Sequence, residues 1–368
     1  MKYRALLIAL SLALAGVGIP FSSSVVLGIT AFQLRSDSVA YLSWGGEYHR
    51  IEGNTSSGRV ILHYIKFSTE RLQPTVALST DSIGSLSPIQ TMAQEKGAVV
   101  GINANFYDPN TNLPIGFLLD DGSLLNAPYS DRATLSIEFF GRLHFSNPQI
   151  SLFLKTPSEE IPIQGINHLT SGSALSLYTP EFGRPNGISL DSRIAAIKNG
   201  HVTWMGSSHL PNYLYAKDIS WLVATGNAKS QIKNLFLAEP VSISYSMTPE
   251  YFFVRDALQA GPMLLRSGTI TLLRPEGFSP EFIQRKTARS AIGITDTGEV
   301  ILLVVTVGNG SKGMALDEVA SYLRDLGTED AMALDGGGSS SLVFQQRASL
   351  RTVGGTRGVP VGLLFLPR

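Results

Sequence analysis

The sequence predicts an α+β or α/β fold, with a mixed β-sheet core, flanking helices and an active-site cleft at the strand ends. Three observations lead there. Short apolar runs of strand length, bounded by Gly, Pro and Asn, recur along most of the chain. Two stretches, around 88–97 and 316–327, switch to helical spacing. The residues with chemical character stand directly after apolar runs, which is where open α/β sheets place ligands. Composition narrows the class further: 43% hydrophobic against 16% charged residues excludes a disordered polyelectrolyte and a multi-spanning membrane protein. The formal net charge of zero gives no electrostatic reason for a nucleic-acid partner, so any anion must be held locally. With no cysteine, disulfides, thiol nucleophiles and thiolate metal sites are ruled out.

Taken in order, residues 1–32 read as a signal peptide or signal anchor. Lys2 and Arg4 precede ALLIALSLALAGVGIP, and Ala13-Leu14-Ala15 offers a small-x-small cleavage site, so the chain is expected to be exported to a periplasmic or extracellular location. Apolar character resumes in VVLGITAF, which keeps membrane anchoring through an uncleaved segment as the alternative. Residues 33–58 read as a polar connector, and 59–368 as the functional domain, its N-terminal part an accessory β region. RVILHYIKFS alternates like a half-buried strand and TVALS continues the sheet. Ser87-Pro88 starts a helix with Ile89, Met92 and Ala93 as its apolar stripe and Gly97 as its stop. AVVGI is then a buried strand, and Asp121-Gly122 the turn of a hairpin. From about Leu135 to Ser246 short β-like runs dominate. QAGPMLLRSGTITL forms a further hairpin, and RKTARSAIGITDTGEVILLVVTV two strands around the turn at 296–298. Leu316, Val319, Ala320, Leu323 and Leu326 keep helical spacing, Gly327 ends that helix, and AMAL is the next strand.

The chemistry centres on AMALDGGGSSSLVF. Three consecutive glycines lose more backbone entropy on folding than any other triplet, so they fit a place where φ is positive or where something approaches the main chain closely. Gly336, Gly337, Gly338, Ser339 and Ser340 therefore read as a nest of N–H groups and small hydroxyls for a phosphate or sugar oxygen, with Asp335 projecting from the strand end; an ordinary turn capped by Asp335 is the plainer reading. Arg289, at the start of a strand, can hold a phosphate bidentately or make a surface ion pair. Asn103, Asn105 and Asp108 follow the AVVGI strand and can bind ligand or cap a turn. Gly308, Gly310 and Gly313 spell G-x-G-x-x-G between a strand and a helix, with Asp335 about 20 residues further on, which leaves a dinucleotide site as a competing reading. Only one such unit is present, where a doubly wound domain has several. No pattern specifies a cofactor, and a divalent metal stays open.

In combination and order, GINANFYD, PIGFLLDDGSLL, GINHLTSGSALSLYTPEFG, QAGPMLLRSG, RSAIGI, LDGGGSSSLV and TRGVPVGLLF resemble the phosphodiester glycosidase family, over roughly 98–366. That resemblance implies a hydrolase acting between a sugar C1 and a phosphodiester, with a small-molecule or glycan substrate. It points to Asn103, Phe106 and Asp108, to Arg289, to Asp335 through Ser340, and to Arg357. Asp335, Arg289 and Asp108 are the expected catalytic residues; Asn103, Asn105, Phe106, the 336–340 loop and Arg357 are the expected substrate contacts. Where Ala104 and Asn105 stand the family usually has glycine. The alternatives are a non-catalytic envelope protein that binds an anionic glycan, and the dinucleotide-binding protein.

Overall fold

The run VILLVVTV sets the architecture, because both of its faces are buried. In the strand Val300–Gly308, Leu302 and Val304 enter a core with Ile65, Phe67, Ile292 and Leu334, while Ile301, Leu303 and Val305 enter another with Leu62, Ala291, Val319 and Leu323. A computed structural model describes residues 32–368 of the chain, except 57, 169–171, 186–187, 208, 212–213, 215–217, 249–252 and 273–275. The export segment expected at 1–32 therefore lies, but for Phe32, outside the described residues. Among the described residues no helix is long and apolar enough to cross a membrane.

Val300–Gly308 lies within a nine-stranded sheet. Its neighbours run Gln33–Tyr41, Glu47–Thr55 and Gly58–Phe67 on one side, and Arg289–Thr295, Thr328–Leu334, Met263–Arg266 and Thr269–Ile270 on the other. Helix α3, Leu316–Asp325, covers one face of this main sheet through Val319, Ala320 and Leu323. The opposite face packs on a second, five-stranded sheet, ordered Ser349–Gly354, Ser341–Gln346, Val100–Asn103, Val361–Pro367, Leu72–Leu78. Helix α1, Ile89–Lys96, lies on the outside of that sheet with Ile89, Met92 and Ala93 buried, as its apolar stripe requires. Gly97 ends it in the left-handed region at φ +71°, the conformation that glycine adopts most readily. A third sheet built around Val254–Gln259 shares the first core through Leu118, Leu135 and Leu258. It turns Phe117, Leu119 and Ala257 toward a further core formed with the strands of the middle segment.

The expected α+β or α/β core with flanking helices is overturned: the fold is β-rich. Among the described residues there are three α-helices, α1, α3 and the short Pro280–Gln284 between them, and the main layers are sheet against sheet. The sheets are not mixed in any substantial way either, since among the described residues the one parallel pairing joins Gly165–Ile166 to Leu175–Tyr178. The physical reason is visible in the pattern. Apolar residues at helical spacing mark only two stretches of the sequence, those of α1 and α3. Elsewhere the apolar runs are of strand length, and the central strands bury both faces against other strands, so sheets cover one another with little help from helices. The supposed connector 33–58 is likewise two strands, Gln33–Tyr41 and Glu47–Thr55, paired antiparallel to each other and on to Gly58–Phe67. Gln33–Tyr41 is an exposed edge strand with no apolar alternation, and is held by backbone pairing.

The dinucleotide reading also falls. The strands before and after α3 are not neighbours, because Arg289–Thr295 stands between them and runs antiparallel to both. The helix N-terminus that would face a pyrophosphate is closed by the chain's own carboxylate: Glu318 accepts from the Ala315 N–H at 2.9 Å and pairs with Lys286. Gly313 has a structural role, at φ +77° with the Thr287 carbonyl where a side chain would begin. Gly313→Ala should lower stability by roughly 2–4 kcal/mol, through strain at positive φ and overlap with backbone. Denaturant unfolding of the variant beside the parent measures this.

Candidate functional site

The loop from Asp335 to Ser340 is the bridge between two layers. It leaves Thr328–Leu334 in the main sheet and enters Ser341–Gln346 in the second sheet. Its N-terminal end is fixed by the Asp335 N–H donating to the Ala104 carbonyl at 3.0 Å. Beside it stands Asn103, fully buried at the end of Val100–Asn103. The Asn103 amide donates to the Asp335 carbonyl at 2.6 Å, and its Oδ1 accepts from the Ser290 hydroxyl at 2.7 Å and the Ser341 N–H at 3.0 Å. Asn103 is thus a strut that positions the loop, where the sequence suggested a substrate contact.

The glycines suit the loop through positive φ at one position and close neighbours at the other two. Gly337 sits at φ +60° and donates to the Ala288 carbonyl at 2.8 Å. A Cβ on Gly336 would stand 3.1 Å from that same carbonyl oxygen, and one on Gly338 3.3 Å from Nη1 of Arg357. The loop does not form an open nest of N–H groups. Ser339 and Ser340 close a tight turn by donating to the Gly336 and Gly337 carbonyls at 3.3 and 3.2 Å. Gly338 is the exposed residue of the turn, with the cation of Arg357 beside it.

Asp335 has the electrostatics of a reactive carboxylate. Burial raises its pKa to about 6, against the lowering effect of the Ser339 hydroxyl, the Gly336 N–H and the Arg357 charge. Arg357 itself is exposed and lies over the Tyr107 ring at 5.9 Å. The structure therefore brings together Asp335, the glycine loop, Arg357 and the supporting Asn103.

Other expected site residues stand apart from this group or beneath it. Arg289 is buried under the loop with its guanidinium already bonded: Nε donates to the Met314 carbonyl at 3.2 Å, and Nη2 to those of Phe282 and Arg285 at 2.8 and 2.6 Å. Desolvation, reinforced by Arg285, lowers it to about 10. It is a clamp on the chain around 282–285 and 314, and only Nη1, 3.9 Å from a Cβ built on Gly336, is directed to the loop. Asp108 caps its own turn by accepting from the Asn110 N–H at 2.8 Å, and it lines a separate cleft of about 920 Å³ together with Tyr107. Phe106 is half-buried against Phe278 and Phe282, with ring centroids 5.6 and 6.0 Å away. Asn105 is buried and donates to the Phe117 carbonyl at 3.3 Å. Among the described residues no three His, Asp or Glu side chains gather as a metal site.

Sequence reasoning missed the wall that faces the loop from the main sheet. A cleft of about 720 Å³ is lined by Gly337, Gly338 and Ser340 on one side and by Arg50, Arg59 and His63 on the other. His63 is pushed down to about 4, by burial first and by Arg50 second, so it is a neutral imidazole at pH 7. The Ser340 hydroxyl is buried there without a partner. These residues come from the stretch read as a connector and from the following strand, and no motif marks them. Tyr107 could have been found, since it stands inside GINANFYD between Phe106 and Asp108.

A β-rich fold with this loop at the seam of two sheets defines a class. The phosphodiester glycosidase family model matches residues 191–366, which bears out the family resemblance over a stretch that includes Arg289, the glycine loop and Arg357. GINANFYD lies before the matched stretch. Three solved structures share the fold. A protein of Synechocystis is 24% identical with a TM-score of 0.73, the match covering 92% of this chain and 68% of the other. A protein of Burkholderia pseudomallei is 16% identical with a TM-score of 0.72, covering 93% and 98%. The catalytic domain of zebrafish N-acetylglucosamine-1-phosphodiester alpha-N-acetylglucosaminidase, auto-inhibited by its pro-peptide, is 14% identical with a TM-score of 0.51, covering 91% and 89%. No curated protein matches.

Asn103→Ala tests the strut. It removes three hydrogen bonds and leaves the buried Ser341 N–H without an acceptor, so stability should fall by about 2–4 kcal/mol. Unfolding in denaturant, with the parent alongside, gives the value.

Proposed function

We propose that the chain is an exported hydrolase that cleaves the bond between a sugar C1 and a phosphodiester. The observation that carries the reading is Asp335, a carboxyl held near pKa 6 at the glycine loop with Arg357 beside it. A sugar joined through C1 to a phosphodiester loses a phosphate monoester, whose second pKa of about 6 makes it a good leaving group. Ordinary glycosidases pair two carboxyl groups because one must protonate a poor leaving group. Here one carboxylate is enough, attacking C1 or taking the proton of the attacking water, provided that a cation steadies the departing phosphate. Arg357, exposed at the lip of the loop, supplies that cation; Arg289 supports the loop from beneath. A carboxyl that titrates close to neutral pH is suited to base chemistry under physiological conditions. The family match over 191–366 supports the same reading. The basic start and apolar run of 1–32 support export, with the mature chain in the periplasm, outside the cell or anchored by its N-terminus to the outer face of the membrane.

The test is a panel of α- and β-linked sugar-1-phosphodiesters offered to the parent and to Asp335→Asn. The parent should cleave at least one. The variant, nearly identical in shape, should lose a factor of about a thousand or more in kcat while it melts as a folded protein. Asparagine caps turns about as well as aspartate, so a fully active Asp335→Asn enzyme overturns the mechanism. A parent that binds such compounds and cleaves none is the non-catalytic envelope protein instead.

The pH dependence gives a second check. Activity should rise with pH through an acid limb near 6, and Arg357→Met should move that limb upward, because Arg357 holds the Asp335 pKa down. The sign for stability is the reverse of the usual carboxylate. The folded pKa lies above the ordinary 3.8, so the protonated form favours folding and stability falls as pH rises from 3.8 through about 6. Melting temperatures of Asp335→Asn across that range should fall less steeply than those of the parent.

A further inference from the structure

The cleft that holds Asp108 contains a cation that, among the described residues, makes no direct ion pair. Arg132 stands at its wall, half-buried, with its guanidinium carbon 4.1 Å from the ring centre of Phe278, 4.6 Å from that of Tyr129 and 5.6 Å from that of Phe106. Its Nε is buried without a partner, and among the described residues its guanidinium has neither a hydrogen bond nor an ion pair. Glu276 is the carboxylate that acts on it, yet both Glu276 oxygens are engaged by backbone, accepting from the Met263 N–H at 2.8 Å and the Ala133 N–H at 2.6 Å. Asp108 faces the same cleft and is engaged with the Asn110 N–H. Stacking on aromatic faces holds a guanidinium in place but leaves its edge donors empty. A half-buried cation with empty donors is suited to an anion that arrives from outside.

The rest of the cleft indicates what carries the anion. Tyr107, Tyr129, Tyr178 and Phe182 supply aromatic surface, and the hydroxyls of Tyr107 and Tyr178 are both buried without a partner. Buried polar atoms in native structures are satisfied as a rule, and groups left open around a cavity of ligand size are a binding signature. Aromatic faces for an apolar ring face, hydroxyls for a hydroxyl rim and one guanidinium for an anion together describe an acidic sugar. We infer that this cleft, of about 920 Å³, binds a sugar unit bearing a carboxylate or phosphate group, with Arg132 holding the anion. Tyr107 belongs both to the cleft and to the Arg357 contact, so the bound unit lies next to the glycine loop. The inference concerns binding and stands whether or not Asp335 is catalytic.

Titration calorimetry on the full chain tests it with three probes: a glucuronate-containing disaccharide, N-acetylglucosamine 6-phosphate and a neutral disaccharide of the same size. At least one acidic probe should bind at least tenfold more tightly than the neutral one, and which acidic probe does so distinguishes carboxylate from phosphate. Arg132→Gln should weaken that binding tenfold or more with neutral-sugar binding unchanged. Tyr178→Phe, which removes one hydroxyl and keeps the ring, should weaken it several-fold, and serves alone if Arg132→Gln does not fold. Equal affinity for acidic and neutral probes, no binding of either acidic probe, or parental affinity in the folded variants would overturn the inference. Failure of the hydrolase reading shows separately, as an absence of phosphodiester cleavage by a protein that still binds the acidic probe through Arg132.

Discussion

The side-chain amide of Asn103 is the interaction on which the site depends. One amide reaches three segments: the carbonyl where the loop begins, the N–H where the second-sheet strand begins, and a hydroxyl on the neighbouring main-sheet strand. The two sheets otherwise meet mainly through side chains such as Leu302, Ile102 and Leu342, which pack without direction, and through the Trp44 indole, which donates to the Gln345 carbonyl at 3.0 Å. A hydrophobic interface holds two layers together but fixes their relative register only loosely. A fully buried amide with its hydrogen bonds made fixes it to within bond geometry. Asp335 gains its position from that constraint, and its main-chain bond to Ala104 on the same strand end reinforces it.

Burial has opposite effects on the two groups next to the loop. Desolvation raises Asp335 to about 6 and lowers Arg289 to about 10, so it disfavours the charge on each. Arg289 meets this with three carbonyl acceptors, and it remains a cation whose role is structural. Asp335 has a hydroxyl and one N–H, which is enough to hold the carboxyl in place but not enough to return it to an ordinary acidity. A carboxylate left partly unsatisfied in this way retains the basicity that a reaction can use.

Much of this was legible in the sequence, and the limits have a physical cause. Helix α1 could be read from Pro88, the stripe of Ile89, Met92 and Ala93, and Gly97, because these signals are local. The same holds for α3, for the Asp121-Gly122 hairpin and for the strand that leads into Asp335. The fold class could not be read the same way. Whether a buried strand is covered by helices or by another sheet depends on which distant runs pair, and Leu302 looks the same under either cover. The edge strand Gln33–Tyr41 passed for a connector because main-chain pairing leaves no trace in side-chain pattern. Among site residues, the glycine loop announced itself through a composition that positive φ and close approach explain. Arg50, Arg59 and His63 did not, since each has an ordinary place on a strand and gains its position only when that strand reaches the loop.

The two arginines of the family resemblance show how far residue type can mislead and how burial corrects it. Arg289 and Arg357 carry the same group and both lie near the glycine loop, so sequence alone gives them equal standing as phosphate ligands. Arg289 has Nε and Nη2 committed to carbonyls, and binding a ligand through them would give up three hydrogen bonds. Arg357 is exposed, stacked on Tyr107 and close to Gly338, with nothing buried to give up. An arriving anion therefore meets Arg357 at the lip, while Arg289 acts through the loop it supports. The triple glycine follows from the same geometry. Side chains on Gly336 and Gly338 would crowd the Ala288 carbonyl and the Arg357 guanidinium, and Gly337 supplies the positive φ of the turn, so glycine suits all three positions.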